Sequence, residues 1–255
     1  MSNIETGIPP LLSCKIVVVG DAGVGKSTFL STFSTGRYDP NVTSTIGINF
    51  FSRPFPSSIK TDHDATVRLM VWDTAGQERY RSLARSYYRG ADAAVIMYDS
   101  SDNGKSLNRI DTWLAEVEEN VAPPLVGWGM ESDGLRSSRN VPFVIVANKI
   151  DDENETTKVL LAEGKALARR RGCLFGETSA VTGEGIDRVF AKIVEECERR
   201  WYKEVKSREA KTVSVKVGAG KKSAGGGIGG GGGQPMKLKA SSEEGEKKSS
   251  SSCCA

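Results

Sequence analysis

The chain has 255 residues with 35 Lys or Arg and 32 Asp or Glu, a formal net charge of +3, and this length holds one α/β domain with tails. Residues 203–255 carry eleven Lys or Arg and five Asp or Glu, a net charge of +6, which leaves −3 for residues 1–202. The acidic body argues against a nucleic-acid-binding domain, and the basic tail favours contact with an anionic surface.

The five cysteines show no paired spacing, and no apolar leader follows Met1. Both features are typical of a protein of the reducing cytosol. The sequence has no apolar run near the roughly eighteen residues that a membrane span needs. We therefore expect any membrane contact to involve the ends of the chain.

After a flexible lead at residues 1–12, the sequence predicts a strand, a loop and a helix. The β-branched run Ile16-Val17-Val18-Val19 is typical of a buried parallel strand, predicted over residues 15–19. A helix is predicted over residues 25–35, with Gly36 as its stop signal.

The loop between them matches the phosphate-binding pattern G-x-x-x-x-G-K-S. Its glycines let backbone N–H groups surround an anion, and Lys26 and the positive end of the helix favour a di- or triphosphate. Ser27 is placed to reach a Mg²⁺ ion. The alternative is a glycine-rich turn that only connects two elements. The residues expected to bind the phosphates are Asp21, Ala22, Gly23, Val24, Gly25, Lys26, Ser27 and Thr28.

Residues 37–45 have no apolar period, and we expect a mobile loop on the phosphate side of the sheet. Strands are predicted over 46–51 and 65–72, and the polar turn 54–64 makes a hairpin the simplest connection between them. His63, the only histidine, lies in that turn. We expect it to face water rather than to serve a metal or a proton relay.

Asp73 follows directly after the second of these strands. Open α/β sheets bind ligands at the carboxyl ends of their strands, so this carboxylate is expected beside the phosphate loop. There it can hold Mg²⁺ directly or through water. A short irregular helix over 79–89 and a strand over 93–99 are predicted next.

The following segment predicts an amphipathic helix, because its apolar residues recur at helical spacing: Leu107, Ile110, Leu114, Val117 and Val121. Trp113 is assigned to core or edge packing rather than to stacking on a ligand. The Pro/Gly/Ser-rich segment 122–140 is an unusually long loop. It is either a tolerated surface insertion or a partner-contacting loop that uses Trp128, Met130 and Leu135.

The remaining elements continue the alternation, with a strand over 143–147, a helix over 156–171, a strand over 173–178 and a last helix. The apolar stripe of that helix is Ile186, Val189, Phe190, Ile193, Val194 and Cys197. This alternation predicts the α/β class with a doubly wound sheet. Beyond it the apolar period stops and glycine runs follow, so we predict a domain over 13–205 and a disordered tail over 206–255.

Five motifs occur in order: the phosphate loop, Thr45-Ile46-Gly47, Asp73-Thr74-Ala75-Gly76-Gln77-Glu78, Asn148-Lys149-Ile150-Asp151 and Ser179-Ala180. With them, residues 13–202 resemble the small Ras-superfamily GTPases, and the Rab branch in particular. The Rab features are the run from Trp72 to Tyr80, Tyr87-Tyr88-Arg89-Gly90-Ala91 and the terminal cysteine pair. The neighbourhoods Ser82-Leu83-Ala84 and Ala93-Ala94-Val95 look nearest to the endocytic Rabs.

The resemblance implies a three-layer P-loop NTPase fold. Its mostly parallel six-stranded sheet would have one antiparallel edge strand and helices on both faces. In the implied guanine site, Asp151 accepts hydrogen bonds from N1–H and the 2-amino group, a pattern that adenine lacks. Asn148 bonds the base edge and the Lys149 stem covers its face. Ser179 and Ala180 complete the pocket, with the Ala180 N–H facing the guanine carbonyl, and Tyr38 stacks against the base edge-on.

The resemblance also implies a switch. Thr45 lies nineteen residues beyond Lys26, the spacing of the loop threonine that closes over Mg²⁺ and the γ-phosphate. The Gly76 N–H would meet that phosphate from the other side, and both contacts are lost with it. The implied metal ligands are Ser27, Thr45 and Asp73, and the implied catalytic residues are Gln77, which orients the attacking water, Lys26 and Thr45. We expect slow intrinsic hydrolysis, raised by about three to five powers of ten when a partner supplies an arginine.

Val181 departs from the family pattern, and Ser252 excludes the Ras-type lipidation signal. Val181 stands where the family often has a lysine that packs on guanine, so that side of the base pocket is expected to be looser. Ser252 occupies the position of the cysteine that a farnesylation box requires. The ending instead resembles the Rab signal for geranylgeranyl groups on Cys253 and Cys254, and two such chains give stable anchoring. The alternative is an unmodified cysteine pair.

The function predicted from these features is a GTP-hydrolysing switch of Rab type in vesicle and membrane trafficking, with Mg²⁺ and GTP or GDP as ligands. The expected partners are an exchange factor, a GTPase-activating protein, effectors, a GDP-dissociation inhibitor and a prenylation escort, but not nucleic acid. We expect a monomer anchored at the cytoplasmic face of an endomembrane, in the endosomal system if the endocytic likeness holds, and cycling with the cytosol. The alternatives are a GTPase-like scaffold with little turnover, a Ras-superfamily signalling GTPase outside the Rab branch, and an ATP-using P-loop enzyme.

Overall fold

The computed structural model describes residues 11, 13–59, 65–76, 81–121, 141–152 and 154–219, with 81–84 and 208–219 described by their backbone only. Two compact units divide the chain, Met1–Ala210 and Lys211–Ala255. The first contains a sheet flanked by helices. In the second, the described residues 211–219 are helical.

Strands and helices alternate along the chain, as predicted. The strands are β1 (Ser13–Gly20), β2 (Ile48–Pro56), β3 (Thr66–Thr74), β4 (Ala93–Asp99), β5 (Phe143–Asn148) and β6 (Leu174–Thr178). The helices are α1 (Lys26–Thr35), α2 (Arg81–Tyr88), α3 (Ile110–Asn120, preceded by a 3-10 turn at Leu107–Arg109), α4 (Glu155–Arg171) and α5 (Ile186–Ala219).

The six strands form one sheet in the order β2-β3-β1-β4-β5-β6. β2 pairs antiparallel with β3, and every other pair is parallel. This confirms the predicted mostly parallel sheet with one antiparallel edge strand, and also the predicted hairpin. Because the other five strands run the same way, their carboxyl ends meet at one edge of the sheet.

The strand register places the predicted site residues along that edge. Asp73 of β3 lies opposite Val18 of β1, two residues before the phosphate loop begins. Asn148, the last residue of β5, lies between Asp99 of β4 and Thr178 of β6. The phosphate and base motifs, far apart in sequence, therefore share one edge.

Two cores cover the two faces of the sheet. Side chains of α1 and α5, including Phe29 and Phe190, pack with β1 residues such as Val18 on one face. Side chains of α3 and α4, including Trp113 and Leu160, pack on the other. Both layers hold the strands in place, so the edge that carries the site is rigidly supported.

Two predicted boundaries differ from the structure by several residues. β2 continues through Pro54 to Pro56, residues that the sequence pattern assigns to the turn. Proline lacks the N–H of an inner ladder but is tolerated at a sheet edge, and β2 is an edge strand. Helix α5 continues to Ala219, beyond residue 206, where the disordered tail is predicted to begin. The apolar stripe stops there, but the first glycine is Gly218, and the intervening Lys, Glu, Arg and Ala favour helix.

Among the described residues, no helix combines the length and apolar character of a membrane span. Several predicted features lie outside the described residues. These are His63, Gln77, residue 12 and the lead at 1–10, the loop 122–140, and the tail from residue 220 with Cys253 and Cys254.

Candidate functional site

The phosphate loop lies between β1 and α1, and its lysine is held by the start of the turn. The Lys26 Nζ donates hydrogen bonds to the carbonyl oxygens of Gly20 at 2.9 Å and Asp21 at 2.8 Å. Its side chain is buried, and this burial lowers the pKa of Lys26 to about 8, against the opposing attraction of Asp73 and Asp21. A buried ammonium of this kind gains from an anionic ligand, which restores the charged form.

Three oxygen-bearing side chains converge beside this lysine. The Ser27 Oγ donates to the Asp73 Oδ2 at 2.6 Å, and the Thr45 Oγ1 donates to the same oxygen at 3.0 Å. The Ser27 and Thr45 hydroxyls also contact each other. Ser27 lies in the first turn of α1, Asp73 lies near the end of β3, and Thr45 comes from the loop before β2, so three separate elements supply this cluster.

The Asp73 carboxylate has an unusual environment. It is fully buried, and among the described residues its Oδ1 has no hydrogen-bond partner. Burial raises the pKa of Asp73, and the bonds from Ser27 and Thr45 oppose that rise. A buried carboxylate oxygen without a partner is costly in the protein alone. A set of one carboxylate and two hydroxyls is the donor chemistry of a hard divalent cation, so these residues fit Mg²⁺.

Two glycines let backbone segments approach one another in this region. A Cβ on Gly76 would lie 2.5 Å from the Ala22 nitrogen and 2.5 Å from the Lys26 Nζ. A Cβ on Gly25 would lie 2.5 Å from the Asn148 Nδ2, and Gly25 has a φ of 93°. The segment after Asp73 therefore lies directly against the phosphate loop.

Asn148 connects three loops at the carboxyl edge. Its Nδ2 donates to the Val24 carbonyl at 2.9 Å, while its Oδ1 accepts from the Thr178 Oγ1 at 3.1 Å and the Ala180 N–H at 3.2 Å. The resemblance implies that Asn148 and the Ala180 N–H face guanine, and here they bond each other. The side chain thus braces the phosphate loop against the loop after β6.

The other predicted base contacts differ in how firmly they are held. Lys149 has a φ of 67°, and its Nζ lies 2.5 Å from the Asp99 Oδ2. The buried Ser179 Oγ accepts from the N–H groups of Val181 and Thr182, which shapes the following turn. Asp151 and Tyr38 are exposed. Within the described part of the chain, no hydrogen bond or ion pair joins either of them to the other predicted site residues.

A cavity of about 160 Å³ lies among these phosphate-side groups. It is lined by the phosphate loop with Thr28, by residues 42–45, and by Thr74 and Gly76. A larger cavity of about 400 Å³ lies between α4, β6 and α5, with none of the predicted site residues in its lining. Lys26, Ser27 and Thr45 line the smaller cavity, and both hydroxyls donate to the buried Asp73 carboxylate beside it.

Two contacts in this region were not predicted from the sequence. Trp113, assigned to packing, is indeed buried, but its Nε1 also donates to the Asp21 Oδ1 at 2.8 Å. In addition, Phe50, Trp72 and Tyr87 form a continuous aromatic row, with ring centroids 4.9 and 5.0 Å apart. The one sequence signal for this row was Phe50 itself, a large apolar residue on a strand at the edge of the sheet.

Comparison with known proteins agrees with this geometry. The model of the Ras family matches residues 15–199, from β1 into α5. This chain belongs to the Ras family. The match spans every motif from the phosphate loop to Ser179-Ala180, so the resemblance found in the sequence is confirmed.

Several curated relatives of this Ras-family chain carry Rab names. It is 37% identical over 183 residues to the Ras-related protein Rab-4 of Dictyostelium discoideum, covering 72% of this chain and 78% of the relative. It is 36% identical over 186 residues to Rab-18 of Lymnaea stagnalis, covering 72% and 80%. The GTP-binding protein ypt2 of Schizosaccharomyces pombe is 35% identical over 186 residues, covering 73% and 82%. The chain is therefore a Rab-type small GTPase involved in membrane trafficking.

Proposed function

We propose that this Rab-type GTPase binds GTP with Mg²⁺, hydrolyses it to GDP and phosphate, and uses the two nucleotide states as a switch. The observation that carries the proposal is the convergence of Ser27, Thr45 and Asp73 beside Lys26, with one buried Asp73 oxygen lacking a partner among the described residues. A divalent cation and a polyphosphate satisfy all four groups at once.

In this proposal Ser27, Thr45 and Asp73 hold Mg²⁺. The ion, when bound, neutralises charge on the β- and γ-phosphates. Lys26 supplies a further positive charge from a buried position, where it is worth more than in water. The N–H groups of the phosphate loop bind the phosphate oxygens, at the positive end of α1.

Selection of guanine depends on the edge formed by β5 and β6. The exposed Asp151 carboxylate is available to accept two hydrogen bonds from the base, and Lys149, held by Asp99, offers its stem to one face. Adenine would leave the Asp151 acceptors unpaired, which lowers its affinity. Exposed Tyr38 is the proposed edge-on contact.

The switch rests on two segments that approach the phosphate loop from different sides. Thr45 reaches Asp73 from the loop before β2, and Gly76 lies against Ala22 and Lys26. A γ-phosphate would bond to both segments, and its loss would release both. Gln77 follows Gly76 directly, so we propose that it orients the attacking water.

Partners that distinguish the two states need a surface beside these segments. Ile46, at the end of the Thr45 loop, is 83% exposed, and Phe50, near the start of β2, is 51% exposed. Phe50 also packs on Trp72, which in turn packs on Tyr87 of α2. We propose that effectors bind this aromatic row, because it links β2 and α2, the elements that follow the two switch segments in the chain.

Membrane attachment is proposed through geranylgeranyl groups on Cys253 and Cys254, which places the protein on the cytoplasmic face of an endomembrane. Two prenyl chains suffice for stable anchoring. An exchange factor, an activating protein, a GDP-dissociation inhibitor and a prenylation escort complete the expected set of partners. The endocytic assignment stays a prediction.

The test is single-turnover hydrolysis with the full chain loaded with GTP and Mg²⁺. We expect release of inorganic phosphate by the wild type, and a rate at least about tenfold lower for Gln77→Leu, because positioning of water dominates this chemistry. Equal rates would refute the role of Gln77. A wild type that binds GTP but releases no phosphate would favour the alternative of a GTPase-like scaffold with little turnover. Competition by ATP equal to that by GTP would refute guanine selection.

A further inference from the structure

Helix α3 contacts the phosphate loop through the side chain of Asp21. The buried Trp113 donates its Nε1–H to the Asp21 Oδ1 at 2.8 Å. The Arg109 Nε lies 3.3 Å from the same oxygen, and its side chain is about half exposed. One carboxylate oxygen of Asp21 thus contacts the neutral indole N–H of Trp113 on α3 and the guanidinium of Arg109, the residue that caps the start of α3.

Asp21 is also bound through its backbone. Its carbonyl oxygen accepts from the Lys26 Nζ at 2.8 Å, so the residue links α3 to the lysine proposed to bind phosphate. A carboxylate next to a polyphosphate is unfavourable unless its charge is compensated. Here Arg109 supplies the compensating charge. Trp113 adds a hydrogen bond to the ionised carboxylate, and such bonds are stronger than those between neutral groups.

The helix that holds Asp21 is itself fixed. Ile110 and Val117 are fully buried in the core between α3 and the sheet. One turn beyond Trp113, the buried Glu116 accepts from the Tyr88 hydroxyl at 3.3 Å and lies 3.8 Å from the Arg85 Nε. Arg109, Trp113 and Glu116 recur at spacings of four and three residues, which is one face of a helix. This face therefore connects the phosphate loop to α2.

We propose that Trp113 and Arg109 are positioning residues that hold the phosphate loop in its nucleotide-binding conformation through Asp21. Neither touches the reacting atoms. Their effect is on the lifetime of the bound nucleotide, because the loop cannot loosen around the phosphates without breaking the bonds to α3. The inference rests on the proposed binding of guanine nucleotide.

The test is the dissociation rate of a fluorescent GDP analogue from the full chain, chased with excess GDP in the presence of Mg²⁺. Trp113→Phe keeps an aromatic ring and removes the donor, so we expect dissociation to be roughly five- to twentyfold faster. Arg109→Ala is expected to have a smaller effect of about two- to threefold, because its partly exposed charge is screened. Trp201→Phe, the same exchange on α5, is the control and is expected to match the wild type.

A double-mutant cycle separates positioning from general loss of packing. If Trp113 acts through Asp21, adding Trp113→Phe to Asp21→Ala will cause little further acceleration, whereas a packing defect will multiply the two effects. Asp21→Asn keeps an acceptor oxygen and is expected to restore part of the slow dissociation. Arg109 and Asp21 are not in the core, so the Arg109 and Asp21 variants still test the proposal should Trp113→Phe fold poorly.

The proposal is overturned if Trp113→Phe and Arg109→Ala both dissociate within twofold of the wild type, or if the effects of Trp113→Phe and Asp21→Ala multiply. Failure of the wild type to bind the GDP analogue would instead refute the proposed function. The two failures are therefore distinguishable in the same assay.

Discussion

The clearest perturbation of the switch is Gly76→Ala. The added Cβ would lie 2.5 Å from the Ala22 nitrogen and from the Lys26 Nζ, and 2.6 Å from the Asp21 carbonyl carbon. Ordinary contacts begin near 3.4 Å, so the segment must move away by about 1 Å. Two of the three neighbours are backbone atoms and cannot yield by rotation.

That movement takes the residue 76 N–H out of reach of the γ-phosphate, while the contacts proposed for GDP remain. A hydrogen bond to a charged group contributes about 1.5–3 kcal/mol, so the preference for GTP over GDP should fall by roughly ten- to a hundredfold. Binding of GDP itself should change less than about threefold.

The assay is competition between GTP and GDP for the full chain in Mg²⁺, followed with a fluorescent analogue. Gly172→Ala, at the end of α4, is the matched control. Alanine is strained there by a φ of 66°, but its Cβ would meet open space rather than the phosphate loop. An unchanged ratio of GTP to GDP affinity in Gly76→Ala would refute the proposed γ-phosphate contact. An equal change in Gly172→Ala would show that only stability had been altered.

Three further predictions concern other parts of the protein. Asn148→Ala removes three hydrogen bonds between loops. It should weaken GDP affinity by more than tenfold and lower the melting temperature, since each buried group left unpaired costs about 1–3 kcal/mol. An unchanged affinity would show that these hydrogen bonds are dispensable for binding. The pKa of Lys26 is about 8 in the folded chain, against 10.5 for an unperturbed lysine. At pH values between these two, unfolding takes up a proton. The free energy of unfolding of the nucleotide-free protein should therefore rise with pH over this range. Over the same range GDP affinity should fall, and Lys26→Met should abolish both trends in denaturant titrations and binding assays; trends retained by that variant would assign them to other groups. Finally, a tagged chain with Cys253 and Cys254 both changed to Ser should be diffuse in cells where the wild type is on membranes, and membrane localisation of the variant would refute the prenyl anchor.

Local patterns in the sequence were enough to predict the alternating elements and the phosphate loop. Periodicity is a property of neighbouring residues, and the glycines and lysine of the loop lie within eight positions. The position of Asp73 beside the loop also followed, because parallel strands present their carboxyl ends together. The aromatic row was harder to predict, since Phe50 and Trp72 meet only through the antiparallel register of β2 and β3.

Contacts between distant residues were decided only by the tertiary structure. Asn148 meets Val24 across 124 positions, and Trp113 meets Asp21 across 92. A helical stripe identifies Trp113 as buried, but it does not say which polar atom the indole N–H reaches once the helix packs on the sheet. The amino-acid order thus determined which chemistry is present, and the packing of α3 against the phosphate loop decided which residues support it, because hydrogen-bond geometry depends on distances that no local pattern contains.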